Sequence, residues 1–174
     1  MESTSPAKLD TLNAADEGSF VATLGFIFEH SPWVAAGAWQ RRPFPSVDAL
    51  HAAMCAVVDE SPPDRRLALI AAHPDLAARA ARSAALAQAS RAEQAAAGLD
   101  ALSAQDAAEL ARLNAAYRER FAFPFVICAR EQSAATILAA LRARLANDRA
   151  AEVASALAEI AKIARLRLAD AVQA

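Results

Sequence analysis

Of the three histidines in this 174-residue chain, His73 stands directly before Pro74, at the end of the apolar run LALIAA. Proline disfavours the α region for the residue before it, so a helix through this run should stop near Ala72 and leave His73 in an extended junction. An imidazole titrates near neutrality, and one held at such a junction can point into a pocket as a general acid or base. The same residue can equally be a cap or a hydrogen-bonded structural group. His51, on the edge of an amphipathic run, and His30, at a loop entry, read as structural or solvated.

A second chemically capable residue lies near the C-terminus. Val153, Leu157, Ile160 and Ala164 mark an apolar helical stripe, and at 100° per residue Arg167 falls about 20° from Ile160. Arg165, Lys162 and Glu159 lie well off that stripe and read as solvated charges. A guanidinium cannot shed its charge on burial, so Arg167 demands an anion, either a protein carboxylate or one belonging to a ligand.

Two further segments carry polar groups at chosen positions. Ser90-Arg91-Ala92-Glu93-Gln94 fits a capping box, with the Ser90 hydroxyl on the amide three residues on and Glu93 reaching back. Gln94 is left over, and a helix N-terminus with free amides can also receive a polar or anionic ligand. Phe121-Ala-Phe-Pro-Phe-Val-Ile-Cys is aromatic and broken by Pro124. Such a cluster is ordinarily core, yet peptide groups in a non-helical apolar stretch are also what small pockets use to recognise carbonyls and amides.

The elements that must position these groups are helical. Hydrophobic residues make up 56% of the chain and 51 residues are alanine, with four glycines and few β-branched residues. Alanine loses no side-chain entropy in a helix, so an all-α fold is expected, one compact domain of seven to eight helices. Caps mark their starts: Ser31 then Pro32, Ser46, Ser61 then Pro62, Ser90 with Gly98 as stop, Ser103 before a helix to Phe121, and Ser133 or Ala134 opening one that ends near Asn147. A last helix should occupy about 150 to 172. Val47, Leu50, Met54 and Val57, and again Ile137, Leu138, Leu141 and Leu145, form buried stripes. No strand pattern competes. Residues 1–8 read as a polar lead-in, with the domain over 9–174.

Several function classes lose support. The charge of −2 comes from 18 basic and 20 acidic residues of scattered sign, which disfavours nucleic acid as a partner. Cys55 and Cys128 have no CxxC or His spacing, so neither a metal site nor a disulfide framework is indicated. The apolar stretch Phe121 to Ala129 is too short for the roughly 20 residues a bilayer span needs, and MESTSPAKLD lacks a signal-peptide pattern, so a cytoplasmic location is the default. G-x-S-x-G, Walker A, GxGxxG and HExxH are absent.

Taken in order, FEHSPWVA (Phe28 to Ala35), RPF (Arg42 to Phe44), AHPDLA (Ala72 to Ala77), SRAEQ (Ser90 to Gln94), LNAAYRERFAFPFVI (Leu113 to Ile127) and the pair Arg167 and Leu168 resemble one family. It is the 2-oxo-4-hydroxy-4-carboxy-5-ureidoimidazoline (OHCU) decarboxylase family of urate breakdown, and the likeness spans nearly the whole chain. The resemblance implies a cofactor-free, metal-free, all-helical homodimer that converts OHCU to (S)-allantoin with release of carbon dioxide. It further implies that His73 is the catalytic acid, Glu93 its partner and Arg167 a substrate-binding cation. Pro74, Ser90, Gln94 and the stretch Phe125, Val126, Ile127, Cys128 and Ala129 would contact substrate. Ala77 and Ala122 stand where the family pattern has glycine, which puts loop geometry in question at both.

Two other functions fit the residues without the resemblance. In a helical interaction module, Ser90 and Glu93 merely cap, Arg167 pairs with an internal carboxylate and FPFVI is core. In an enzyme of the same fold, the substrate would be a related ureide or purine-derived acid.

Overall fold

Asp16 shows how the chain starts its helices. Its carboxylate accepts the Ser19 amide at 2.8 Å and the Ser19 hydroxyl at 3.0 Å, the cap that opens the second helix. These bonds hold the Asp16 carboxyl below its ordinary pKa. The computed structural model describes residues 6–76, 97, 99 and 102–174. They contain eight α-helices, in keeping with the class that composition predicts. They divide into two units, residues to Ala72 with Ala161–Ala174, and His73–Ile160.

The first unit holds α1 (Leu9–Ala14), α2 (Glu17–Leu24), α3 (Pro32–Trp39), α4 (Val47–Asp59) and α5 (Pro63–Ala71). Ser46 caps α4 through the Ala49 amide at 3.1 Å. Its buried face is Leu50, Met54 and Val58, so the stripe closes on Val58 where the spacing pointed to Val57. Val57 instead presses on α3 at Gly37, where a Cβ would come within 2.7 Å of it. Two expected caps differ. Pro32 opens α3, but the Ser31 side chain makes no cap bond. At α5, Pro62 is the cap residue and Pro63 the first helical one, while the Ser61 hydroxyl turns back to the Val58 carbonyl at 2.7 Å. The Ser61 hydroxyl is thus used at the end of α4 and not at the start of α5.

Helices α1 and α2 carry no conspicuous start signal besides Asp16, and sequence reading did not mark them. The RPF segment is bound to them: Arg42 donates to the carbonyls of Asn13 and Ala15 at 2.7 and 2.8 Å, and Asn13 pairs with the Phe44 backbone in both directions. A strand pair that the sequence did not suggest, β1 (Ala7–Lys8) and β2 (Val172–Gln173), runs parallel over two residues each. The expected lead-in therefore ends in paired structure at Ala7.

The second unit holds α6 (Ala104–Phe121), a 3₁₀ turn (Ala129–Glu131), α7 (Ala134–Arg144) and the first half of α8 (Arg149–Ala171), whose second half belongs to the first unit. Ser103 caps α6 at 3.0 Å from the Asp106 amide. Ser133 and Thr136 form a reciprocal capping box on α7, which stops at Arg144, short of the expected Asn147. Leu138 and Leu141 are buried on it while Leu145 is half-exposed. Helix α6 ends at Ala122 with φ 62°, the left-handed region where glycine is at ease and alanine is strained. The glycine-for-alanine exchange noted in the sequence therefore falls on a position that does require a glycine-like backbone. Beyond it the chain turns inward, and Tyr117 gathers Phe121, Phe123 and Phe125 with ring centroids 4.6, 6.0 and 5.2 Å away.

Candidate functional site

Helix α5 ends where proline chemistry places its end, with Ala72 as cap and His73 in a bend before Pro74. His73 is buried, only 6% exposed. The backbone that follows is tied to α6 by two residues one turn apart. Asn114 donates to the Leu76 carbonyl at 3.0 Å, and Arg118 grips the Asp75 carboxylate at 2.9 to 3.2 Å. A helix puts residues four apart on one face, so LNAAYR supplies both anchors of the His-Pro-Asp-Leu segment from a single stripe. Neither anchor was picked out from the sequence.

Phe125, Val126, Ile127, Cys128 and Ala129 are all buried, and α-helical residues hold this stretch at two points. Arg144 donates through Nη1 to the Val126 carbonyl at 2.8 Å and lays its guanidinium 4.5 Å from the Phe125 ring centroid. Its other nitrogens engage Glu152, whose oxygens also accept from the Tyr117 hydroxyl at 2.5 Å and Asn147 Nδ2 at 2.8 Å. Glu152 is fully buried. A buried carboxylate is tolerable when its lone pairs are filled by a cation and further donors, as here. Burial, with Glu152 accepting its proton, pushes the Tyr117 phenol well above its ordinary pKa.

The second point is Glu159. Sequence periodicity reads it as a solvated charge; instead it is half-buried and accepts the Cys128 amide at 2.8 Å. Helical spacing alone cannot reveal that a neighbouring loop reaches the flank of the helix, which is the reason for the difference. Lys162 and Arg165 are exposed as expected. Glu152 left a usable signal, since it stands four and eight residues before the buried Ala156 and Ile160.

In the first unit, Arg167 is buried as its place on the stripe predicts, with its side chain 4% exposed. Its Nη2 lies 2.9 Å from Glu29 Oε2, and Nη1 lies 3.3 and 3.4 Å from the carbonyls of Phe26 and Ile27. Glu29 is itself buried at 2% side-chain exposure. The anion that the arginine demanded is thus a protein carboxylate, from the FEHSP motif. His51 is structural, with Nε2 2.8 Å from the Ala161 carbonyl. Ser90, Glu93, Gln94 and Ala77 lie outside the described residues, so the proposed partnership of Glu93 with His73 falls there too.

Among the described residues no three His, Cys, Asp or Glu side chains are grouped to hold a metal ion, and no helix is long and apolar enough to cross a membrane. The geometry defines a helical protein that buries an imidazole at a helix end, a paired guanidinium and an anchored run of peptide groups.

The sequence profile of the OHCU decarboxylase family matches residues 13–169. An OHCU decarboxylase of Haloferax volcanii is 44% identical over 162 residues, covering 93% of this chain and 94% of that protein. Among solved structures, an (S)-allantoin synthase superposes with a TM-score of 0.76 at 29% identity, over 97% of this chain and 54% of that one. This chain therefore spans about half of that protein. An OHCU decarboxylase solved in the presence of (S)-allantoin superposes with a TM-score of 0.67 at 26% identity, over 89% of this chain and 96% of the other. The chain belongs to the OHCU decarboxylase family.

Proposed function

We propose that this protein decarboxylates OHCU to (S)-allantoin in urate degradation, without cofactor or metal, as a cytoplasmic homodimer whose catalytic domain is residues 9–174. The observation that carries the proposal is the family match over residues 13–169, which contains every residue given a role here.

In OHCU the carboxylate sits on a carbon that also bears a hydroxyl, beside the ureido-bearing carbon of an unsaturated ring. When the carbon–carbon bond to the carboxylate breaks, carbon dioxide leaves and the electron pair moves into the adjacent C=N. The ring is its own electron sink, so a pyridoxal or thiamine group has no task. The ring nitrogen of that C=N takes up a proton, a second proton joins the ureido-bearing carbon, and the hydroxyl gives up its own to become the carbonyl, a net uptake of one proton. Delivery from one face yields one enantiomer. His73 is the acid in this proposal, because a buried imidazole at a helix end presents one proton from one direction.

Glu93 is its partner across the substrate. Arg167 binds an oxygen-rich edge, its orientation set by Glu29, and charge-assisted N–H bonds there are the strong ones. Pro74, Ser90, Gln94 and Phe125–Ala129 surround the ring, the last through peptide groups whose direction is set before substrate arrives.

To test this, OHCU is generated in situ from urate by urate oxidase and 5-hydroxyisourate hydrolase, and circular dichroism follows chiral allantoin. The native chain should accelerate the (S)-allantoin signal with no metal added. His73→Asn should lower turnover by roughly 10²- to 10⁴-fold, the usual worth of a general acid, with an unchanged far-ultraviolet spectrum. A near-normal rate in that variant removes His73 from the chemistry.

A further inference from the structure

Glu159 is a charged residue that the decarboxylation scheme does not use, on a helix flank that periodicity assigns to solvent. The structure turns it to the Cys128 amide, inside the stretch proposed to meet substrate. Two residues earlier, the Val126 carbonyl is taken by Arg144, which the Glu152 cluster holds rigid. The segment is thus tethered through an acceptor at Val126 and a donor at Cys128, on either side of Ile127. All five residues, Phe125 to Ala129, are buried.

The two tethers are not equivalent. The Arg144 tether belongs to a cluster with Tyr117, Asn147 and Glu152, and stacking on Phe125 fixes it further. Glu159 acts from a half-buried place on α8 and bonds the peptide directly. A carboxylate accepting a backbone N–H makes a charge-assisted bond, shorter and about twice as strong as a neutral one. It also fixes the plane of the peptide that joins Ile127 to Cys128, because the peptide group is rigid.

From this we infer that Glu159 is a positioning residue for substrate recognition: it sets the direction of the peptide groups between Val126 and Ala129 that read the ring of the substrate. The inference rests on the OHCU reading above. It places the effect in binding, since these groups would hold the ring before and during reaction, whereas the acid acts only in the reaction.

The experiment compares the native chain with Glu159→Ala and Glu159→Gln in the OHCU assay, with thermal unfolding measured on the same samples. In Glu159→Ala the KM should rise by roughly ten- to a hundredfold with kcat within about threefold, because binding made equally in the ground and transition states moves KM and not kcat. Glu159→Gln keeps an acceptor oxygen and should recover most of the affinity, and it keeps the test intact if the alanine variant does not fold. A native KM in folded variants, with only a lower Tm, overturns the positioning role and leaves the decarboxylase standing. A native chain with no OHCU turnover overturns both.

Discussion

Two carboxylate–guanidinium assemblies with buried carboxylates, one in each unit, are tied to different groups. Glu152 receives Arg144, the Tyr117 hydroxyl and the Asn147 amide, all at 2.5 to 2.8 Å, and Arg144 passes the connection on to the Val126 carbonyl. Glu29 and Arg167 meet at 2.9 Å, and the guanidinium's bonds to carbonyls are longer, 3.3 and 3.4 Å. Desolvating two charges costs several kcal/mol per ion, returned only when geometry is good and the remaining donors and acceptors are filled. The Glu152 carboxylate is filled by Arg144, Tyr117 and Asn147, which is the plan of a structural hub. The Glu29 pair is a direct carboxylate–guanidinium contact with two longer bonds to backbone carbonyls, and its arginine is the one proposed to bind substrate.

The sharpest way to break this contrast is to remove each carboxylate. Glu152→Ala should cost about 3–5 kcal/mol in urea unfolding, because it leaves a buried guanidinium uncompensated and strips two further donors. A loss under about 1 kcal/mol would mean the cluster is not a hub.

The next test replaces the pair in the first unit. Glu29→Leu combined with Arg167→Met should stay within about 2 kcal/mol of native stability, since apolar residues of similar volume can replace a buried pair at little cost. Its KM for OHCU should nonetheless rise at least about tenfold, the loss expected when a charge-assisted contact of about 1.5 kcal/mol goes. Native kinetics in a stable double variant would make Arg167 structural and erase the contrast between the assemblies.

Smaller effects sharpen the hub. Tyr117→Phe removes one hydrogen bond to a charged acceptor and should cost about 1.5–3 kcal/mol by denaturation, with kinetics little changed. Ala122→Gly, one residue past α6, should stabilise by about 1 kcal/mol because glycine adopts the left-handed conformation freely; no gain in Tm would place the strain elsewhere.

How far these features could be read in the sequence depends on the reach of the signal. Ser46, Ser103 and Ser133 mark helix starts because a cap bonds an amide three residues on. The stop at Ala72 follows from Pro74, and the burial of Arg167 from helical period, both within a turn or two. Ser61 failed as a cap because its hydroxyl is used at the end of α4, and Val57 yielded to Val58 because its place was taken by the approach to Gly37.

What the sequence by itself determined is the class of fold, the family and the burdened residues, among them an imidazole at a proline junction and an arginine that had to find an anion. The tertiary structure alone decided which anion it found, Glu29, and that Arg144 and Glu159 hold the two ends of the Val126–Cys128 stretch. Caps and periodicity act through bonds between near neighbours, so composition and spacing carry them. The choice of a partner several turns or more away depends on where turns and helix crossings deliver each side chain, which no local pattern encodes.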